Sequence, residues 1–238
     1  MIKIIYLKIK ILIYYNVVYR KQKLPRKWYL ETDERFKYIH ILEAVNYLKV
    51  AELPNVFFEF GCHSGRTYTA ALLASKFLNF ELENFAFDSF EGLPKTSKDE
   101  DGCFESGTFY TTKKDFVKII KKRSGFLLKD EQLIQGFYEK SLTDELAKKL
   151  PKSVGFVHID VDLYSSTVTV LEFIKKFLVS GTVLLFDDWY CFAPGKEMGE
   201  RKALNEFLKL NPNFAVEPWK AYSTFGQSFF VTKVPTKL

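Results

Sequence analysis

The chain has 238 residues, a length that suits one globular domain with some decoration. Hydrophobic residues make up 47% and charged residues 27%, which excludes a wholly disordered chain, and 12 Gly with 8 Pro exclude a collagen-like one. A net charge of +6 arises from 35 basic and 29 acidic residues, much of it in the first 27 positions. The later clusters Lys113-Lys114, Lys121-Lys122-Arg123 and Lys175-Lys176 are interleaved with apolar residues and read as solvated helix faces, so nucleic acid is not an expected partner. Three scattered cysteines (Cys62, Cys103, Cys191) form no disulfide framework and no Cys-x-x-Cys pair. They read as reduced thiols in a cytoplasmic protein rather than as a zinc site.

Met1 to Val18 is rich in Ile, Leu, Val and Tyr but is interrupted by Lys3, Lys8 and Lys10. A spanning helix needs about 20 mostly apolar residues, and no small-residue cleavage site follows, so neither a membrane span nor a signal peptide is expected. The favoured reading is packing on the body or on a second subunit, in keeping with an expected homo-oligomer. The others are weak peripheral contact with an anionic membrane, and a disordered arm or mistaken start. Arg35 to Lys49 has helical periodicity. Residues 1–53 therefore read as an amino-terminal extension with lid helices, and residues 54–238 as the main domain.

From Pro54 onward, short apolar strands alternate with helical stretches. Strands are expected at Asn55–Phe60, Asn84–Phe87, Leu133–Gln135, Val154–Ile159, Thr182–Phe186 and Gln227–Val234, with a possible partner strand at Phe214–Glu217. Helices are expected at Arg66–Phe77, at Thr167–Leu178 with Gly181 just beyond its end, and at Glu200–Leu210 before Pro212. Lys95 to Gly107 reads as a mobile polar loop. This alternation predicts an α/β fold with a doubly wound, mostly parallel sheet, which binds ligands beyond the carboxyl ends of its strands. Glu59, Asp88, Asp160 and Asp187 close four of those strands, so a site is expected there.

Four constellations carry the chemistry. Phe58-Glu59-Phe60-Gly61-Cys62-His63-Ser64-Gly65-Arg66 is a strand, a Gly-x-x-x-Gly turn and a helix start, suited to close backbone approach by a polar ligand. It is neither a dinucleotide nor a phosphate-loop fingerprint. In Phe87-Asp88-Ser89-Phe90-Glu91-Gly92-Leu93-Pro94, an acid after the second strand can accept ribose hydroxyls. His158-Ile159-Asp160-Val161-Asp162-Leu163-Tyr164-Ser165-Ser166-Thr167 and Phe186-Asp187-Asp188-Trp189 place four carboxylates at one edge. These would repel unless a cation or protons neutralise them, and all-oxygen ligands suit Mg²⁺, with Mn²⁺ or Ca²⁺ also fitting. Taken singly, Asp162, Ser165 or Ser166 could instead cap the following helix.

At these four points the sequence resembles the macrocin O-methyltransferase family, from about Arg35 to the end of the chain. The strings Asp-Ser-Phe-Glu-Gly-Leu-Pro and Asp-x-Asp-Leu-Tyr-Ser-Ser-Thr, in that order, carry the resemblance. It implies a class I methyltransferase fold with a seven-stranded sheet over residues 54–238, and methyl transfer from S-adenosylmethionine to a sugar hydroxyl with a divalent metal. Asp160, Asp187 and Asp188 would hold the metal, as in the similar arrangement of catechol O-methyltransferase. Glu59, Gly61, Ser64 and Gly65 would surround the cofactor's amino acid part, and Asp160 would also belong to the cofactor-binding set. Asp88 would hold its ribose, Ser89 and Phe90 would lie beside the adenosine, and Gln135, Gly136 and Phe137 would line the adenine. The general base would be Asp160 or Asp162. Cys62-His63-Ser64 departs from the family's usual first turn. His158 reads as a buried, hydrogen-bonded residue; His40 and His63 are weaker base candidates, and Cys191 is an improbable nucleophile. Tyr38, Trp189, Tyr190 and Trp219 could stack on a sugar but read first as core or interface. A phenol or catechol acceptor, and an inactive cofactor-binding partner subunit, are the alternatives. The positive charge would suit a nucleotide-sugar acceptor.

Overall fold

Runs of aromatic and β-branched residues make the strands here, and helices with one apolar face join them. The computed structural model of the chain describes residues 25–94, 106–192 and 197–235, with side chains from Glu34 onward. Expectations for the first 24 residues, for most of the Lys95–Gly107 loop and for Cys103 fall outside the described residues.

In chain order the elements are α1 (Pro25–Val50), β1 (Val56–Phe60), α2 (Arg66–Leu78), β2 (Glu83–Asp88), α3 (Lys113–Ser124), β3 (Leu133–Gln135), α4 (Tyr138–Ser141), α5 (Asp144–Lys149), β4 (Val154–Ile159), α6 (Tyr164–Ile174), β5 (Leu178–Phe186), α7 (Gly199–Leu210), β6 (Ala215–Ala221) and β7 (Gln227–Lys233). The seven strands form one sheet in the order β3-β2-β1-β4-β5-β7-β6. Strand β7 runs antiparallel to β5 and β6; the other pairs are parallel. This is the doubly wound, mostly parallel seven-stranded sheet that the sequence predicts.

The alternation along β1 divides the core. Phe58 and Phe60 enter one apolar cluster and Phe57 the other. Phe60 stacks on Phe87 at 4.4 Å, and Phe57 stacks on Phe156 at 4.7 Å. On the first face α6 and α7 supply Val170, Leu171, Ile174, Leu204 and Phe207. On the second, α1 supplies Ile41, Ala44, Val45 and Leu48, joined by Tyr68 of α2 and by Phe116 and Ile120 of α3. Each large apolar side chain buried this way contributes about 1.5–3 kcal/mol.

The chain divides at Arg35, inside α1, into the units Met1–Arg35 and Phe36–Leu238. Of the first, only the helical backbone from Pro25 and the side chains of Glu34 and Arg35 are described. The second starts well before residue 54 because α1 buries Ile41, Ala44, Val45 and Leu48.

Several boundaries differ from expectation: α1 starts at Pro25, β6 runs on to Ala221, and the largest change is at the junction of α6 and β5. Helix α6 is not Thr167–Leu178 but Tyr164–Ile174, and Leu178 already opens β5. Gly181 is thus not a helix terminator; it lies inside β5 at φ +92. The ladder pairs Val154 with Leu178 and then Phe156 with Val183, so β5 bulges between them. Thr182 closes the bulge: its hydroxyl donates to the Val154 carbonyl at 2.7 Å and accepts the Val179 N–H at 3.0 Å. Helical periodicity alone could not register this irregularity. The N-cap of α6 is Leu163, with no side-chain cap, and Ser165 and Ser166 lie inside the helix. Asp162 is therefore not spent on capping.

Candidate active site

Parallel ladders deliver the residues that follow each strand to a common edge. Phe60 pairs with Phe87 and with Ile159, and Ile159 pairs with Phe186. The next residues, Asp88, Gly61, Asp160 and Asp187, therefore stand side by side. Backbone bonds continue the ladders through them: Gly61 N–H to Phe87 O, Asp160 N–H to Phe60 O, and Asp187 N–H to Ile159 O. Gly61 has φ +79, and an added Cβ would lie 1.6 Å from the Asp160 carbonyl oxygen. Only glycine lets β1 and β4 pass this closely at their ends.

At one end of the row, Asp88 is bonded by the chain itself. Its Oδ2 accepts the N–H groups of Cys62 at 2.7 Å and His63 at 3.0 Å, and its Oδ1 accepts that of Phe90 at 2.6 Å. A carboxylate has about four acceptor positions, so roughly one is left for a ligand hydroxyl. Asp88 thus braces the Gly61–Gly65 turn as well as facing the cleft.

At the other end, carboxylates crowd together. Oxygens of Asp160, Asp162 and Asp188 lie within 4.8 Å of one another, and so do ligand atoms of His158, Asp160 and Asp187. Two unit charges at that separation repel by roughly 3 kcal/mol at an effective dielectric constant near 20, so all four acids cannot ionise freely. Burial, then the charge of Asp188, pushes Asp162 up to about 8. Burial, then Asp187, pushes Asp188 up to about 6, and burial with both neighbours raises Asp160 as well. Burial would raise Asp187 too, but His158 and the Lys37 ammonium outweigh it and hold Asp187 below the usual carboxylate range. Lys37 Nζ lies 2.6 Å from Asp187 Oδ2, and the Tyr222 hydroxyl donates to Asp187 Oδ1 at 3.2 Å.

A cleft of about 400 Å³ runs along this edge. Gly61, Asp88, Ser89, Gly136 and Phe137 line its first part, and Asp160, Asp162, Asp187 and Asp188 its second. Other residues predicted for the site stand behind it. Glu59 is fully buried, its Oε1 accepting the Thr67 hydroxyl at 2.7 Å; burial pushes its pKa up to about 8. Gly65 packs under Phe116 and Ile120 of α3, and the Ser64 carbonyl accepts Arg123 at 2.6 Å. Phe90 does not face the cleft: with φ +55 it turns into the core against Phe116. Gln135 is exposed at the end of β3 and does not line the cleft.

His158 is buried as predicted, but neither ring nitrogen has a hydrogen bond; Nε2 lies 3.7 Å from Asp187 Oδ1, an ion-pair distance. Burial lowers its pKa, and the neighbouring Asp187 carboxylate opposes that shift. His40 lies away from the cleft, bonded to Ser228 at 2.8 Å and Glu43 at 3.1 Å. Trp189 packs on Phe186 and Phe229, and Trp219 on His40 and Phe230, so neither is a sugar platform. Tyr38 packs partly buried against the α1-side core, and Tyr190 bonds Gln227 at 3.0 Å. Sequence reasoning missed Lys37, Tyr222 and Glu200. The first two reach Asp187 from distant positions with no local signal. Glu200, fully buried, accepts the Asp188 N–H at 2.9 Å. The Cys191 thiol donates to Asp188 Oδ1 at 2.9 Å, and burial raises its pKa, which disfavours a nucleophilic thiolate.

The model of the macrocin-O-methyltransferase (TylF) family matches residues 31–211. The chain belongs to this family. It is an O-methyltransferase. None of the curated proteins matches the sequence. Among solved structures, the chain is similar to the O-methyltransferase NovP, with 17% identity over 83% of this chain and 80% of that one, and a TM-score of 0.68. It is similar to the calicheamicin methyltransferase CalS11, with 20% identity, 88% and 87% coverage and a TM-score of 0.64. It is also similar to an O-methyltransferase from Bacillus cereus solved with SAH, with 12% identity, 94% and 88% coverage and a TM-score of 0.50. These likenesses confirm the class I methyltransferase fold for this methyltransferase. Among the described residues, no helix is long and apolar enough to cross a membrane.

Proposed function

We propose that this methyltransferase uses S-adenosylmethionine and a divalent cation, Mg²⁺ first, to methylate a sugar hydroxyl. The observation that carries the reading is the cluster of Asp160, Asp162 and Asp188 beside a cleft whose other end is the Gly61–Asp88 turn. An all-carboxylate donor set fits a hard cation, and the buried Asp188 Oδ2 has no partner. Asp160 belongs to both convergent groups, so it and Asp188 are the best-supported ligands. Asp187, whose oxygens already receive Lys37 and Tyr222, closes the set from inside.

S-adenosylmethionine, when bound, supplies an activated methyl group, and a bound cation supplies Lewis-acid polarisation of the acceptor hydroxyl. The protein's own work is alignment and proton removal. The turn at Gly61 to Gly65 and the Asp88 carboxylate hold the donor, with Gly136 and Phe137 on its adenine side; alignment of this kind contributes roughly 7–11 kcal/mol. Asp162, left free of capping, would be ionised once a cation offsets the neighbouring carboxylates that raise it, and in that form takes the hydroxyl proton at a carboxylate oxygen. The cleft's described lining includes Asp88, Glu139 and the four-acid cluster but no Lys or Arg, which favours a neutral sugar over a nucleotide-linked one. Free Cys62 and Cys191 suit a reducing, cytoplasmic setting.

Calorimetric titration of the full chain with S-adenosylhomocysteine, followed by methyl-transfer assays on a panel of neutral glycosides, tests this. Micromolar cofactor binding, and methylation abolished by EDTA and restored by Mg²⁺, are expected. Absence of cofactor heat overturns the donor assignment, EDTA-insensitive turnover the cation, and methylation of catechols alone the acceptor class.

A further inference from the structure

Glu200 is the anomaly of the interior. Helix α7 turns Gly199, Glu200, Ala203, Leu204 and Phe207 inward, a stripe in which every other member is small or apolar. Glu200 is 0% exposed. A carboxylate on such a stripe costs stability unless its oxygens are bonded. Its place in the first turn of α7 offsets part of that cost, because free N–H groups there favour negative charge. Its Oε2 accepts the Asp188 N–H at 2.9 Å, while its Oε1 is buried without a partner.

An account of every polar atom of Asp188 shows what that bond does. The last ladder bond of β5 is Asp187 N–H to Ile159 O, so Asp188 leaves the sheet with its own N–H unpaired by a strand. Glu200 takes that N–H. The Asp188 carbonyl accepts the Cys191 N–H at 3.1 Å, and Oδ1 accepts the Cys191 thiol at 2.9 Å. Three of the four polar atoms are thereby fixed, and Oδ2 alone is left buried and unpartnered beside Asp160 and Asp162. Nothing in the cleft needs Glu200 as a wall, since it does not line it.

We infer that Glu200 is a positioning residue for the cation seat: from inside the protein it grips the backbone of Asp188 and so aims that carboxylate at Asp160 and Asp162. The inference rests on the cation reading proposed above. Groups that orient a metal ligand from behind typically change metal affinity 10–100-fold when removed.

The test compares Glu200→Met, which fills the space without an acceptor, with Glu200→Gln, which keeps an acceptor oxygen. The readouts are Mn²⁺ binding to the full chain by electron paramagnetic resonance, S-adenosylhomocysteine affinity by calorimetry, and Tm. Glu200→Met leaves the Asp188 N–H without its acceptor but also removes a buried carboxyl group, so it is expected to fold with a Tm near or modestly below that of the wild type and to keep its cofactor affinity, while its Mn²⁺ dissociation constant rises about 10–100-fold and that of Glu200→Gln stays within about threefold. Selective loss of ion affinity, with cofactor affinity kept and rescue by Glu200→Gln, is an outcome that a loop staple would not give. Wild-type Mn²⁺ affinity in Glu200→Met overturns the inference, as does equal weakening in Glu200→Gln, which would make charge rather than the hydrogen bond the cause. If Glu200→Met does not fold, Glu200→Ala stands in its place in the same comparison. Wild-type protein that binds no Mn²⁺ overturns the cation reading itself, and that result is visible before any variant is made.

Discussion

Asp88 ends β2 and Asp188 follows β5 in the same sheet, yet the chain treats them differently. Asp88 receives three backbone N–H groups from its own and the neighbouring turn. The carboxylates of Asp160, Asp162 and Asp188 face one another within 4.8 Å, and among the described residues only the Cys191 thiol donates to them from outside the group. Folding completes the first end of the cleft and leaves the second short of positive charge. A site that must receive a donor of fixed shape is built rigid. One that concentrates acids remains incomplete until a cation arrives.

The sharpest way to break this comparison is to remove an acid from the crowded end. Asp188→Ala should lower methyl transfer by on the order of 10³-fold and abolish Mn²⁺ binding, while cofactor affinity measured by calorimetry stays near wild type. Asp88→Ala should do the reverse. Three N–H groups lose their acceptor, so stability falls by roughly 3 kcal/mol and cofactor affinity drops steeply, while Mn²⁺ binding survives. An unchanged denaturation midpoint in Asp88→Ala would mean that this end is not self-built.

Protons sharpen the same contrast. Glu59, at about 8 in the fold, lies above the ordinary carboxylate value of 4.5, so the fold holds a proton that the unfolded chain has released. Between those values the unfolded state binds fewer protons, and stability falls as pH rises, by roughly 1.4 kcal/mol per pH unit for this one group. The contribution is complete below pH 4.5 and is lost by about pH 8. Without metal, Tm should therefore decline from pH 5 to 8, and Glu59→Gln should make the decline shallower. Added Mg²⁺ should flatten what remains, because Asp162 and Asp188 are raised in the same direction. The smallest effect belongs to Tyr222→Phe. It removes one hydrogen bond to Asp187, worth about 1 kcal/mol, and should lower kcat/KM about fivefold with little change in Tm.

The row of strand-end acids was legible because each follows a run too apolar to be anything but buried strand, as in Phe87-Asp88, Ile159-Asp160 and Phe186-Asp187. The family was legible in the two long strings that surround those acids. What stayed hidden depends on distant contacts. Lys37 meets Asp187 across 150 positions. Phe90, expected beside the adenosine, turns inward because its backbone is left-handed. The end of α6 was misplaced because Lys175 to Leu178 suits a helix, whereas the turn after Ile174 and the bulge at Gly181 are set by pairing with Val154. Glu200 was readable after all: it shares a helical face with Ala203, Leu204 and Phe207, and its polarity in that company was itself the signal.

The contact between Gly61 and the Asp160 carbonyl acts as a spacer. It joins the donor half of the edge to the acid half through main-chain atoms, so their separation is a property of the backbone. Side chains on either half can drift in evolution without changing the gauge between them, as long as position 61 stays glycine. A cleft assembled in this way can trade one acceptor for another by altering its rim while the reacting centres keep their distance.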